Sequence, residues 1–287
     1  MTVLVTGASG HLGRLTVLAL LDRGVPAADV VATARDLDAV TDLADRGVQV
    51  RRADYDDPAS LDAAFAGVDR LLLVSSNAVG ARVTQHRNVI EAAARAGVDL
   101  LAYTSLLRAD SSGLGLAAEH IATEDLLKQS GLPVTLLRNG WYLENYTENA
   151  GPALATGQVL GAAGDGRISG ATRQDFAEAA AVVLAGGEHA GAVYELAGDE
   201  AFTMAEYAAA LAAATGREIT YTDLPAAEYA AALESAGVPA PFAQVLADSD
   251  QGVARGDLED HSGDLSRLIG RSTTGLPEAI GVALSGA

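Results

Sequence analysis

The chain has 287 residues, 49% of them hydrophobic, which is enough for one large core or for a large domain carrying a smaller one. Against 38 acidic side chains stand 19 basic ones, a net charge of -19 that argues against nucleic acid and against an anionic membrane surface as partners. Cysteine is absent and Lys128 is the sole lysine, so disulfides, thiolate metal sites and cysteine nucleophiles are excluded and Schiff-base chemistry is nearly closed off.

Met1 runs directly into Thr2-Val3-Leu4-Val5 without a charged leader, and no apolar run approaches the roughly 20 residues that span a bilayer. A soluble cytoplasmic protein is the expectation.

Val3-Leu4-Val5 opens the chain as a strand, and Leu12, Leu15, Leu18 and Ala19 share one face of the helix that follows, which Gly24 stops. Strands are expected at Val30–Ala32, Val48–Val50, Leu71–Val74, Leu100–Tyr103 and Val134–Leu137, several apolar on consecutive positions, as strands covered on both faces must be. Asp57-Pro58 reads as an N-cap followed by proline at the first helical position, and another helix runs from Val83 to Ala96 with Gly97 beyond it. Repeated β-α units predict an α/β fold with a doubly wound, parallel, Rossmann-type sheet.

Near residue 150 the pattern changes. Glycines at 151, 157, 161, 164 and 166 punctuate a loop-rich stretch, and Thr203-Met204-Ala205-Glu206 is a capping box that opens an alanine-rich helix. Val193–Leu196 is a further strand, and helical segments continue to about residue 253. The expected division is 1–150 as a dinucleotide-binding domain and 151–287 as a smaller, mostly helical C-terminal lobe, with a soft boundary and some segments returning to the sheet.

Gly7-Ala8-Ser9-Gly10-His11-Leu12-Gly13 lies between the first strand and the first helix. Glycine permits the tight turn at 7, close approach of backbone to a pyrophosphate at 10, and helix–strand packing at 13; the helix N-terminus then offers N–H groups to the phosphate. The alternative is a glycine turn without a ligand. No acid stands at the tip of the second strand, where a ribose 2′-OH would need one. Arg35 stands there instead and could pair with a 2′-phosphate, with Arg14 nearby, so NADP(H) is the expected cofactor. A surface ion pair from Arg35 to Asp36 or Asp38 is the alternative. His11, His86, His120, His189 and His261 are scattered without metal-ligand spacing, so no metal is expected.

The glycine turn, Ala53-Asp54-Tyr55, Tyr103-Thr104-Ser105-Leu106-Leu107, Leu137-Arg138-Asn139-Gly140-Trp141-Tyr142-Leu143-Glu144-Asn145-Tyr146, Gly161-Ala162-Ala163-Gly164-Asp165-Gly166 and Tyr194-Glu195-Leu196-Ala197-Gly198-Asp199 together resemble an atypical short-chain dehydrogenase/reductase of the NmrA-like group. Within that group the chain is most similar to the type 2 NAD(P)H:quinone oxidoreductases. The resemblance implies direct hydride transfer from NADPH to a quinone without flavin or metal. It also implies that Asp54 and Tyr55 flank the adenine and that Ser75, Ser76 and Asn77 lie along the cofactor. Asn139, Gly140, Trp141 and Tyr142, with the chain as far as Asn145, would border the nicotinamide and substrate. Both a monomer and a homodimer fit the sequence.

Typical short-chain reductases carry a tyrosine and, four residues later, a lysine on one helix. Counting back from Ser130-Gly131-Leu132-Pro133, the corresponding residues are Leu116 and His120, with Glu124 one turn on. Leucine donates no proton, which favours an acceptor that is already electrophilic, such as a quinone. Asn145 could steady the resulting oxyanion, and His120 could hold the ribose or supply a proton. Tyr146 and Arg173 are candidate substrate contacts.

Each has an alternative. His120 could be a solvated residue charge-paired with Glu119 or Glu124, and Asn145 a turn cap. Trp141, Tyr142 and Tyr146 could be core packing, Ser75–Asn77 a strand-end turn, and Thr172-Arg173-Gln174-Asp175 a helix start. A non-catalytic NADP(H)-sensing regulator and a reductase of another conjugated carbonyl or dye-like acceptor also stay open.

Overall fold

The computed structural model describes residues 1–285. In chain order the elements are β1 (Val3–Val5), α1 (His11–Asp22), β2 (Val30–Ala34), α2 (Thr41–Asp45), β3 (Gln49–Arg52), α3 (Pro58–Phe65), β4 (Arg70–Leu73), α4 (Arg82–Ala96), β5 (Leu100–Leu106), α5 (Ala117–Gln129), β6 (Val134–Asn139), α6 (Glu144–Thr147), α7 (Gly151–Thr156) and β7 (Gln158–Gly161). Then come α8 (Arg173–Ala185), β8 (Val193–Leu196), α9 (Met204–Thr215), β9 (Thr220–Asp223), α10 (Ala226–Ser235), α11 (Ala240–Ala254), α12 (Asp264–Ile269) and α13 (Leu276–Ser285).

Seven strands form one sheet in the order β3-β2-β1-β4-β5-β6-β8. The pairs from β3 through to β6 are parallel, with Val3 opposite both Val30 and Arg70. The doubly wound sheet expected from the β-α repeats is therefore present. Every residue of β1, β2 and β5 is buried, because helices cover both faces of these strands. Leu4, Val31, Leu71, Leu73, Leu101, Tyr103 and Leu136 share a core with α3, α4 and α5, whereas α1 packs against α8. Each fully buried leucine here contributes about 1.5–3 kcal/mol relative to exposure.

The local signals explain several element ends. The Asp57 carboxylate accepts from the Ser60 N–H with Pro58 at the start of α3, and Gly97 closes α4 in the left-handed conformation. Thr203 and Glu206 close the expected capping box on α9.

One helix face differs from expectation. The buried residues of α1 are Leu12, Gly13, Thr16, Val17, Ala19 and Leu20, while Leu15 and Leu18 are half-buried. Gly13 sets that face: a Cβ there would lie 2.5 Å from the Gly7 carbonyl oxygen, so only a glycine edge can press this closely on the turn.

The chain divides into two compact units that interleave along the sequence. The first comprises Met1–Leu106, Glu119–Asn139 and Arg173–Tyr194; the second comprises Leu107–Ala118, Gly140–Thr172 and the chain from Glu195 onward. The second unit contains a small parallel sheet of β7 with β9, Gln158 opposite Thr220, which the sequence reading had not anticipated. It also carries helices beyond residue 253, α12 and α13. No helix among the described residues is long and apolar enough to cross a membrane.

Within the first unit the Arg138 guanidinium grips the Glu124 carboxylate with two bonds, Nε to Oε1 at 3.0 Å and Nη2 to Oε2 at 2.8 Å, and the Ser105 hydroxyl donates to Oε1 at 2.7 Å. Their side chains are 7% and 2% exposed, so each charge depends on the other. Arg138→Met is expected to destabilise the fold by about 3–5 kcal/mol because Glu124 is left buried and uncompensated, and urea unfolding at pH 7 measures it. Adding Glu124→Leu should restore most of that loss.

Candidate functional site

In a doubly wound sheet, ligands collect where neighbouring strands send their connections to opposite faces, here at the C-terminal ends of β1 and β4. The glycine turn follows β1 and Ser75-Ser76-Asn77 follows β4, so the structure places both candidate segments at this point. Arg35 follows β2, and Asp54 and Tyr55 follow β3, at the same end of the sheet.

Gly7 adopts φ +62°, and its carbonyl accepts from the Gly10 N–H, while the Ala8 N–H donates to Thr33. Gly10 caps α1 without a side-chain hydrogen bond, and the first turn holds no acid, so the positive end of the helix faces outward beside exposed Ser9, Gly10 and His11.

Beneath the turn, the Thr6 hydroxyl donates to the Leu72 carbonyl and accepts from the Val74 N–H, both at 2.9 Å, and also accepts from the Tyr55 hydroxyl. Burial pushes the Tyr55 phenol well above its ordinary value. Its oxygen is committed to bracing β1 against β4, leaving the ring as the part that can face a ligand.

Arg35 is exposed and has no ion pair or hydrogen bond among the described residues, so the bridge to Asp36 or Asp38 does not form. Arg14 is different. Its guanidinium binds Asp42 and the Ala39 carbonyl, which removes it as a free partner for a phosphate and holds the Asp42 carboxyl below its ordinary value.

The Ser75–Asn77 segment is fixed by side chains from α4 and β5. Ser75 N–H donates to the Thr104 hydroxyl at 2.8 Å, Ser76 N–H to His86 Nε2 at 2.9 Å, and Arg82 Nε to the Ser76 carbonyl at 2.6 Å. A backbone N–H can donate only to an unprotonated nitrogen, so His86 carries its proton on Nδ1, which faces the Thr123 hydroxyl at 2.9 Å. Burial, then the Arg82 charge, depresses the His86 pKa to about 3. A signal was available: Arg82, Gln85 and His86 lie on the same buried face of α4 as Val89 and Ala93, a polar cluster on an apolar stripe.

His120 is 7% exposed, in the first turn of α5, with Nδ1 2.7 Å from the Tyr103 hydroxyl. Neither expected ion pair forms, because Glu119 faces Arg82 and Glu124 binds Arg138. Burial and then Arg82 bring its pKa down to about 3, so the imidazole is neutral near pH 7. Leu116 precedes the helix, which begins at Ala117, so the two residues do not share a helical face.

Asn139 ends β6, 5% exposed, and its side-chain Oδ1 is buried without a hydrogen-bond partner. An orphaned acceptor of this kind costs about 1–3 kcal/mol and marks a place where a ligand donor fits. Gly7, Gly13, the uncapped α1, the exposed Arg35 and the orphaned Asn139 Oδ1 are together compatible with a bound NADP(H). Among the described residues no group of three potential metal ligands occurs.

In the second unit, Gly140 N–H donates to Leu196 at 2.7 Å, Ala171 N–H donates to the Trp141 carbonyl, and Tyr142 bridges to Ala171. Asn145 lies in α6, half-buried, and its side-chain amide makes no hydrogen bond among the described residues; only its backbone is engaged, so it is not a turn cap. The Tyr146 ring packs edge-on against Phe202 and is tilted against Tyr207, which favours packing as its structural role. Arg173 is half-buried at the start of α8, in the first unit.

The Gly161–Gly166 segment has a physical cause in this unit. Asp250 Oδ2 accepts from the Ala162 N–H at 2.7 Å and would lie 2.9 Å from a Cβ at Gly161. Burial pushes the Asp250 carboxyl up to about 6. A carboxyl raised on folding adds stability below its unfolded value near 4, and that contribution is lost as pH rises through 6. Asp250→Asn, which keeps an acceptor for Ala162, is therefore expected to raise the melting temperature at pH 8 relative to the parent and to give little gain at pH 4.5. Scanning calorimetry at the two pH values checks this.

Residues 1–276 match the NmrA-like family. Quinone oxidoreductase 2 of Escherichia coli (strain K12) is 52% identical over 278 residues, covering 97% of each chain. The Escherichia coli NADPH-dependent quinone oxidoreductase QOR2 complexed with NADPH superimposes with a TM-score of 0.96 at 51% identity, covering 99% of this chain and 100% of that one. The Citrobacter sp. triphenylmethane reductase gives a TM-score of 0.95 at 36% identity, with coverage of 99% and 100%. A glycine turn at the divergence of β1 and β4, followed by a match along almost the whole chain, places this protein in the NmrA-like family.

Proposed function

We propose that the protein is an NADPH-dependent quinone reductase that works without flavin or metal. The observation that carries this reading is the 52% identity to a quinone oxidoreductase across 97% of both chains. Bound NADPH would supply the hydride. The N–H groups of Ser9 and of the open N-terminus of α1, His11 and Leu12, bind its pyrophosphate, with Gly7, Ala8, Gly10 and Gly13 shaping the turn. Arg35 pairs with the 2′-phosphate. Asp54 and Tyr55 flank the adenine, and Ser75, Ser76 and Asn77 line the cofactor. Asn139, Gly140, Trp141 and Tyr142 border the nicotinamide, and the buried Asn139 Oδ1 is suited to accept an amide hydrogen.

Asn145 donates its amide to the oxygen on which negative charge develops as the quinone is reduced, since its side chain is otherwise unengaged. His120 supports the site as a second hydrogen-bonding group. Tyr146 and Arg173 bound the acceptor. A quinone is intrinsically electrophilic, so most of the acceleration comes from holding donor and acceptor rings together.

With purified protein, NADPH absorbance at neutral pH should fall on addition of a simple benzoquinone. Asn145→Ala is expected to lower kcat/KM about 10–100-fold with NADPH affinity unchanged. Binding of NADPH without turnover across quinones and a triphenylmethane dye would instead support the regulatory alternative. Arg35→Ala should weaken NADPH about 10-fold or more while leaving NADH nearly unchanged, as expected for loss of a charge-assisted contact. Equal losses for both dinucleotides, measured by titration, would remove the 2′-phosphate assignment.

A further inference from the structure

Two connections that leave the sheet far apart are tied together by one helix. The order β3-β2-β1-β4 puts two strands between β3 and β4, so their C-terminal ends stand about 14 Å apart at the usual strand spacing. The connection after β3 nevertheless crosses that gap. The Tyr55 hydroxyl oxygen lies 2.9 Å from the Val74 carbonyl, just beyond β4, and the Tyr55 ring stands edge-on to the His86 imidazole with centroids 6.3 Å apart. The crossing passes the end of β2, which is followed by the exposed Arg35.

A segment laid across strand ends in this way needs support from a neighbouring element, and α4 supplies it. Asn88 Nδ2 donates to the Tyr55 carbonyl at 2.8 Å, and Gln85 Nε2 donates to Asp56 Oδ2 at 2.8 Å. The other end of the Gln85 amide meets the connection after β4: its Oε1 accepts from the Ser76 hydroxyl, whose oxygen in turn accepts from the Ala78 N–H at 3.1 Å. The directions of these bonds are fixed. An ionised carboxylate only accepts, so Gln85 turns its NH2 group to Asp56 and its carbonyl oxygen to Ser76, and Ser76, facing an oxygen that cannot donate, gives the hydrogen. Residue 76 is therefore gripped twice from α4, through its hydroxyl by Gln85 and through its backbone N–H by His86.

Gln85 is 9% exposed and His86 is fully buried, on the face of α4 that elsewhere carries Val89 and Ala93. Apolar side chains at 85 and 86 would pack there without needing partners, whereas buried polar ones are costly unless bonded. The bonds they make go to the connections after β3 and β4.

We infer that the polar face of α4 is the support of an adenosine subsite, and that Gln85 is its positioning residue, setting the Asp54–Asp56 segment relative to Ser76 so that the adenosine half of the dinucleotide is held. The inference rests on the reading that Asp54 and Tyr55 flank the adenine and Arg35 the 2′-phosphate. Gln85 acts through the two connections and leaves the nicotinamide half unaffected.

Gln85→Glu tests this, because it keeps an acceptor for Ser76 but sets a carboxylate against Asp56. Ligand-observed NMR titrations with adenosine 2′,5′-bisphosphate and with reduced nicotinamide mononucleotide separate the two halves of the cofactor without requiring turnover. The adenosine probe should weaken about tenfold in Gln85→Glu, and the nicotinamide probe should stay within about twofold of the parent. Adding Asp56→Asn lets an amide at 56 donate to the carboxylate at 85, which reverses the bond at equal net charge. The double variant should bring the adenosine probe back to within about threefold of the parent, an outcome that a merely misfolded Gln85→Glu would not give.

Equal losses for both probes, no loss for either, or no recovery in the double variant would overturn the inference. A parent chain that binds neither probe would overturn the cofactor reading and this inference with it. Because both titrations read binding, failure to reduce a quinone would overturn the proposed activity alone.

Discussion

The Thr6 hydroxyl is the point on which the ligand-facing edge of the first unit depends. It sits where β1 and β4 part, and it uses its full hydrogen-bonding capacity on Leu72, Val74 and Tyr55. Strands that diverge here would otherwise leave backbone groups unpaired at the one place where the sheet must open. With those groups satisfied from below, the glycine turn and the Ser75–Asn77 segment can both leave their outward faces for a ligand.

Glycine chemistry on one side and polar burial on the other complete that edge. The turn after β1 is held by backbone hydrogen bonds alone, and Gly13 brings α1 so close to it that no other side chain fits. After β4 there are no such glycines at 75–77, and the segment is instead held by side chains from α4 and β5: His86, Arg82 and Thr104. One segment is thus held by backbone alone and the other by side chains from neighbouring elements.

Desolvation decides the charge states. The histidines at 86 and 120 are both held neutral by burial and by the same arginine, Arg82, while Asp250 in the second unit is drawn upward by burial and by the Asp223 charge. A site built this way works by hydrogen bonds of fixed direction. That suits an acceptor which is already reactive.

The sequence by itself determined the β-α alternation, the glycine turn after the first strand, the Asp57 and Thr203 caps and the arginine at the tip of β2, because these are local patterns whose physics acts within a few residues. It also carried the family resemblance that named Asn139 and Asn145. Tertiary structure alone decided the rest. Which face of α1 is buried follows from Gly7, six residues away; whether Arg14 or Arg35 is free follows from Asp42; and the small β7–β9 sheet pairs residues some sixty positions apart. His120 meets a phenol from β5, and its neutrality depends on burial and then on an arginine from α4. Hydrogen-bond direction and desolvation are set by whatever the fold brings within about 3 Å, and no spacing along the chain encodes that distance.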